Sequence, residues 1–289
     1  MAILLKGAPV AAAITERVRQ KAEELSGKGI YPTLAIVRIG ERKDDIAYEK
    51  SAVKRCDMAG VQVRNIVLPK DVSQTILAEK ICELNADNSI HGVLIFSPLP
   101  KHIDEAEIRR TLSPAKDVDG ITDGSLGSVM SGSGEGFSPC TAQACMEILD
   151  YYGIDPTGKN AVVIGRSLVV GKPAAMLLTA KNATVTLCHT KTQNLAGIAS
   201  NADIIIAAVG KAKAVGAECF AQGQTVIDVG INVDGNGKMS GDADFETAEP
   251  VVDAITPVPG GVGSVTTAVL VSHVVQAAEK YAGGKANDK

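Results

Sequence analysis

Tryptophan is absent from this 289-residue chain, and all aromatics together reach only 3%, with four phenylalanines and five tyrosines. Its cores must therefore be built from aliphatic side chains, and the 45% hydrophobic content supplies enough for two ordinary α/β domains or one large one. A basic stripe is missing too. The 29 Lys and Arg are interspersed with 33 Asp and Glu for a net charge of −4, so no nucleic-acid partner is expected. Cys56, Cys82, Cys140, Cys145, Cys188 and Cys219 form no CxxC pair and no Cys–His spacing of a zinc site, so no metal is expected. They read as reduced, mostly buried small hydrophobes of a cytoplasmic protein. No apolar run reaches the ~18 residues of a membrane span, so no membrane partner is expected. The apolar start is interrupted by Lys6 and Pro9 and has no basic segment before it, and it reads as an edge strand and a helix instead of an export signal.

What is present is alternation. Helical spacing over 10–25 ends in Ser26-Gly-Lys-Gly, and strand-like runs follow at 32–39, 61–68 and 91–96, separated by helical stretches at 44–59 and 73–85. Such alternation predicts mostly parallel sheet with helices on both faces. Between Ser113 and Phe137 the texture turns to Pro, Asp, Gly and Ser, which predicts loop and a hinge between two units. A helix opened by Pro139-Cys-Thr comes next, then strands at 160–165, 183–188, 203–209 and 225–229, and a last helix from Thr266 to about Tyr281.

The segment Gly165-Arg166-Ser167-Leu-Val-Val170-Gly171-Lys-Pro173 places one glycine at a strand end and another at a helix start. Backbone there can approach a diphosphate, and the helix N-terminus offers free N–H groups. The spacing is not G-x-G-x-x-G, and an ordinary strand-to-helix turn remains the alternative. The next strand ends in His189-Thr190-Lys191, without the acid that would hold a ribose 2′-hydroxyl. With Arg166, Thr190 and Lys191 near, NADP is favoured over NAD; His189 reads as a structural or surface residue.

These strings, with Ser97-Pro-Leu-Pro100, Lys116-Asp-Val-Asp-Gly120, Pro139-Cys-Thr141, Val226-Ile-Asp-Val-Gly-Ile-Asn232 and Ile255-Thr-Pro-Val-Pro-Gly-Gly-Val-Gly263, make the chain resemble the methylenetetrahydrofolate dehydrogenase/cyclohydrolase family over nearly its whole length. The resemblance implies two α/β domains with a cleft between them. A folate-side domain would span 1–138, joined by a returning helix at 266–289, and a Rossmann-like NADP-binding domain would span 139–265. It implies a small-molecule folate substrate, NADP as cofactor and a homodimer formed through the nucleotide domain. Carried over by position, Gly165, Arg166, Ser167, Val170, Gly171, Thr190 and Ile231 would contact NADP. Tyr48, Ala52, Phe96, Ser97, Pro98, Leu99, Asp119, Pro257, Gly260, Gly261 and Val262 would line the folate site, with Tyr48 and Asp119 catalytic.

Two positions depart from the family pattern. Its folate helix carries a lysine four residues after the tyrosine, on the same face; here that position is Ala52, and the glutamine that would hydrogen-bond the lysine is Phe96. Lys50 and Lys54 lie two residues either side, turned about 200° away. Replacing both polar partners together avoids leaving one buried and unsatisfied. Hydride transfer needs chiefly approach and orientation. Hydrolysis of the methenyl bridge needs water activation and proton shuttling, work suited to a lysine. The expectation is a dehydrogenase with weak or absent cyclohydrolase activity. The alternatives are a fully bifunctional enzyme, a non-catalytic folate- or NADP-binding paralogue, and a dehydrogenase for another small substrate.

Overall fold

The computed structural model describes residues 1–287. The chain divides into two compact units, one made of Met1–Ala11 with Thr141–Thr266 and the other of Ala12–Cys140 with the segment from Thr267 onward. It opens with β1 (Ile3–Leu4) and α1 (Gly7–Ser26). Then β2 (Thr33–Ile39), α2 (Lys43–Ala59), β3 (Gln62–Leu68), α3 (Gln74–Ala86) and β4 (Gly92–Ile95) build a three-stranded parallel sheet of order β3-β2-β4. The central strand, Thr-Leu-Ala-Ile-Val-Arg-Ile, is buried at every position but Arg38, because a parallel strand covered on both faces cannot alternate. Ala35, Val37 and Val93 from the sheet pack with Leu77 and Ile81 of α3. Ser73 caps α3 by accepting from the Ile76 N–H, and Gly60 closes α2 in the left-handed conformation.

Past β4 come α4 (Glu105–Thr111), α5 (Asp123–Ser131) and α6 (Cys140–Tyr151). The stretch expected as loop and hinge thus contains the helix α5. Thr122 caps it, its hydroxyl accepting from the Ser125 N–H at 3.1 Å. The residues that signalled a loop serve close packing: a Cβ on Gly124 would overlap the Pro114 ring.

The remaining strands are β5 (Asn160–Ile164), β6 (Thr184–Cys188), β7 (Ile204–Ala207), β8 (Thr225–Asp228), the antiparallel pair β9 (Asn232–Val233) and β10 (Met239–Ser240), and β11 (Ala254–Ile255). Between them run α7 (Gly171–Ala180), α8 (Leu195–Ala199) and α9 (Phe245–Ala248). The main sheet is parallel throughout, with order β1-β11-β8-β7-β5-β6. Here the first strand departs from the expected 1–138 domain. β1 pairs Ile3 with Ala254 and Leu4 with Ile255, completing the sheet edge that β11 would otherwise leave open.

The last helix, α10 (Thr266–Asn287), runs past the expected Tyr281, and the final two residues of the expected 266–289 helix lie outside the described residues. From Thr267 on it belongs with the β2–β4 unit, where Val274 packs over β4 at Gly92. Among the described residues no helix is long and apolar enough to cross a membrane.

Candidate active site

In the β2–β4 unit, Tyr48 and Ala52 stand one turn apart on α2. Tyr48 is half-buried, whereas Ala52 is fully buried, so the position where the resemblance led us to expect a lysine lies inside the packing. Lys50 and Lys54 are both exposed to solvent. Phe96 continues β4 by donating its N–H to the Val37 carbonyl at 3.2 Å, and its ring meets Tyr48 edge to face with centroids 5.7 Å apart. The turn that follows, with a cis Ser97–Pro98 bond, is tied to α4 by Glu105, which accepts from the Ser97 hydroxyl at 3.1 Å and the Leu99 N–H at 3.3 Å. Arg42 donates to the Pro98 carbonyl at 3.0 Å. Beside Tyr48, Glu49 accepts from Arg38 of β2 at 2.6 Å, a mostly buried ion pair that sequence reasoning missed.

The segment Lys116–Gly120 carries Asp119, the second side chain expected to be catalytic, and Lys116 and Asp117 fix its conformation. Lys116 donates to the Leu84 and Asp87 carbonyls, both at 2.7 Å, capping the end of α3. Asp117, fully buried, accepts the N–H groups of Gly120 and Ile121 at 3.0 Å and of Thr122 at 2.7 Å. That cradle fixes the turn carrying Asp119. Burial pushes the Asp119 carboxyl up to about 6, the neighbouring Asp117 charge adds to the shift, and a hydrogen bond with Cys140 opposes it. Cys140 donates its thiol to the Val118 carbonyl at 3.3 Å, and burial holds it far above the ordinary thiol range, so it is a packed group and not a nucleophile. His273 of α10 makes a 2.8 Å bond to the same carbonyl, and burial brings its imidazole down to about 4. Sequence reasoning did not single out Asp117 or His273; their signal is being polar amid apolar runs.

The other unit carries the nucleotide half. Gly165 follows β5 with φ 129°, and a Cβ there would overlap the Ala208 carbonyl. One on Gly171 would overlap the Gly165 carbonyl, so the loop and the head of α7 cross at a distance only glycine permits. Ser167 turns its hydroxyl onto the Val170 N–H at 3.1 Å and the Gly171 N–H at 3.4 Å, while Arg166 is exposed. After β6, His189 donates its N–H to the Thr192 hydroxyl at 2.8 Å and accepts from the Lys191 N–H at 3.1 Å, leaving Thr190 and Lys191 exposed.

The loops after β7 and β8 are held by two buried acids that sequence reasoning also missed. Asp242 accepts the N–H groups of Val209 at 2.6 Å, Gly210 at 2.7 Å and Lys211 at 3.0 Å, and the Asn232 amide at 2.9 Å. Asp228 accepts from Gly230, Asp242 and Ala243, each at 2.9 Å; burial raises its carboxyl to about 6. Ile231, 62% exposed, therefore projects from a fixed turn. It lines a cavity of about 160 Å³ together with Pro257, Gly260, Gly261 and Val262, which brings one expected cofactor contact and four expected folate contacts to one place. Among the described residues no group of three or more His, Cys, Asp or Glu could hold a metal ion.

A parallel sheet with a glycine-bearing loop at the end of β5, and a second α/β unit with its own parallel sheet, define a dinucleotide-binding enzyme class. Residues 5–119 match the tetrahydrofolate dehydrogenase/cyclohydrolase catalytic domain, and residues 139–282 match the NAD(P)-binding domain of the same family. The chain belongs to the tetrahydrofolate dehydrogenase/cyclohydrolase family. Bifunctional protein FolD of Carboxydothermus hydrogenoformans is 53% identical over 96% of this chain and 98% of its own. The crystal structure of bifunctional FolD from Campylobacter jejuni superposes with TM-score 0.93 at 38% identity, covering 97% of this chain and 99% of that one. The Trypanosoma brucei enzyme, solved with NADP cofactor and an inhibitor, gives TM-score 0.89 at 33% identity over 96% of this chain and 98% of its own.

Proposed function

We propose that this chain oxidises 5,10-methylenetetrahydrofolate to the 5,10-methenyl form with NADP, acting as a cytoplasmic homodimer, and that it hydrolyses the methenyl product weakly or not at all. The observation that carries this reading is Ala52: fully buried one turn from Tyr48, with the Phe96 ring against that tyrosine and the nearby lysines turned to solvent.

The residues present fit NADP, because the crossing of Gly165 and Gly171 is a cradle that any Cβ would fill. Gly165, Arg166, Ser167, Val170 and Gly171 would hold the phosphates, and the exposed Arg166 and Thr190 suit a 2′-phosphate where an acid would repel it. NADP, when bound, supplies the hydride acceptor. Ile231 and the 257–262 loop would set the depth of the ring. On the folate side, Tyr48 and Phe96 would offer apolar surface to the pterin and its neighbouring ring, Ser97, Pro98 and Leu99 would wall it, and Asp119, ionised above about pH 6, would accept hydrogen bonds from the pterin edge. Hydride leaves the methylene carbon with its electron pair, and the folate nitrogens stabilise the cation left behind, so this step requires orientation and no lysine.

A second reading is favoured by Asp119 itself. A carboxyl raised to about 6 is suited to general-base work, and in a fully bifunctional enzyme it would take the lysine's place. Incubating the protein with methylenetetrahydrofolate and NADP separates the two: methenyl absorbance that persists supports the first, and enzyme-dependent decay to 10-formyltetrahydrofolate supports the second. The dimer is checked by sedimentation, with the exposed edge strand β6 and Leu187 on it as the expected contact surface.

A further inference from the structure

The first two turns of α2 carry Tyr48 yet have almost no apolar anchor. The inward stripe of this helix runs through Asp45, Glu49, Ala52, Cys56 and Ala59, and its C-terminal half buries Ala52, Cys56 and Ala59 completely. The N-terminal half buries only Asp45, and Arg42 at its start makes no side-chain cap. Charge holds this half down instead. Asp45 lies 3.7 Å from the exposed Arg42, and Glu49 takes the Arg38 guanidinium at 2.6 Å, with the two side chains only 15% and 12% exposed. Arg38 also donates to the Gly40 carbonyl, where the chain turns with φ 69°. One guanidinium thereby joins the end of β2, the turn after it and the second turn of α2. As a stabilising device such a pair is poor, since apolar side chains of similar volume do as well. As a clamp on direction it is good, because a planar group bonded to two partners fixes angle as well as distance.

We propose that Arg38 and Glu49 are positioning residues for Tyr48: their ion pair sets the lie of the first two turns of α2, and with it the angle at which Tyr48 meets the Phe96 ring and the substrate. The inference rests on the folate reading given above and adds to it the pair that aims one wall of the site. Glu49 adjoins Tyr48 in the chain, so any shift of the turn that Glu49 anchors carries the tyrosine with it. In a step limited by orientation, a displacement of about 1 Å costs up to about 100-fold in rate. Neither Arg38 nor Glu49 is given a part in the chemistry itself.

The test is steady-state kinetics on the full-length protein carrying Arg38→Met and Glu49→Leu together. Replacing both charges strands neither, so the melting temperature should stay close to that of the wild type. The kcat/KM for methylenetetrahydrofolate should nevertheless fall by at least about tenfold. Affinity for NADPH, read by its fluorescence without folate, should not change, because the 165–171 loop belongs to the other unit. Arg38→Lys keeps the charge and the fold but cannot reach Glu49 and the Gly40 carbonyl at once, and should lose roughly threefold. In a Tyr48→Ala background the double replacement should cost little more, since no ring is left to aim. Wild-type kcat/KM in the double variant, or in Arg38→Lys if the double variant does not fold, would overturn the clamp, as would a loss that persists in full without Tyr48. Each of these results leaves the dehydrogenase reading intact. No NADPH formation by the unsubstituted protein would overturn that reading, and the clamp with it.

Discussion

Tyr48 of α2 and Phe96 at the end of β4 meet edge to face, their planes at 87°, and Phe96 and Ala52 stand at the two positions where the family resemblance led us to expect a glutamine and a lysine. An aromatic contact stands where a polar pair was expected: the fully buried Ala52 lies in close packing, and Phe96 offers none of the hydrogen bonds that a buried cation would need.

Restoring the pair should therefore restore hydrolysis only when both partners return. Ala52→Lys alone buries an unpaired ammonium and is expected to lower the melting temperature, with a cost of about 3 kcal/mol. Ala52→Lys with Phe96→Gln should recover part of that stability and raise the decay rate of the methenyl compound at least about tenfold. An unchanged decay rate in a folded double variant would overturn the proposal that positions 52 and 96 limit hydrolysis.

Asp119 carries a pH signature. Its carboxyl sits at about 6 in the folded protein against 3.8 for an ordinary aspartate, so the native state holds more protons than the unfolded state between those values. Stability attributable to this group consequently rises as pH falls from 6 towards 4, and its ionised form is a net burden above 6. Asp119→Asn should raise the melting temperature at pH 8, by an amount equivalent to about 1–2 kcal/mol, with the gain shrinking by pH 5, while dehydrogenase turnover drops. Thermal melts at the two pH values alongside NADPH formation check both halves.

At the crossing of Gly165 and Gly171 the expected outcome concerns the cofactor. Gly165→Ala puts a methyl group into the Ala208 carbonyl at a φ of 129°, and the backbone must move to admit it. Affinity for NADP, read by fluorescence of bound NADPH, should fall by at least about tenfold. Binding as tight as in the wild type would mean that the loop does not approach the phosphates.

Asp242 holds four N–H donors from two loops. Asp242→Ala strands all of them and should cost about 3–5 kcal/mol. Asp242→Asn, which keeps one acceptor oxygen, should be milder in stability and yet raise the KM for NADP, because the turns beside Ile231 lose their fixed position. Chemical denaturation and initial rates distinguish the two effects.

How much of this was written in the sequence varies with the range of the forces involved. Local signals were dependable: Ser73 and Gly60 mark helix ends where they stand, and the buried run at 33–39 forms the central strand. The glycines of 165–171 pointed to a backbone that could approach a diphosphate, with an ordinary turn as the alternative; the crossing of the loop with the head of α7 appears only in three dimensions. The helix α5 was hidden, since Gly124, Ser125 and Ser128 resemble loop composition until their packing partners are known. Asp117, Asp228 and Asp242 were hidden for the same reason. A carboxylate that gathers backbone N–H groups from distant segments looks, in one dimension, like any surface acid. The proximity of Ile231 to the 257–262 loop likewise depends on contacts that no local pattern contains.

The pairing of β1 with β11 bears on how the protein is made. Ile3 and Leu4 precede their partners Ala254 and Ile255 by some 250 residues, and α10, which belongs with the β2–β4 unit, follows the whole of the β5–β11 segment. Each unit waits for a distant piece of chain, which raises contact order and slows folding. A fragment cut at the linear boundary, such as 139–265, would start life with β11 as a bare sheet edge and would be prone to pair with its own copies.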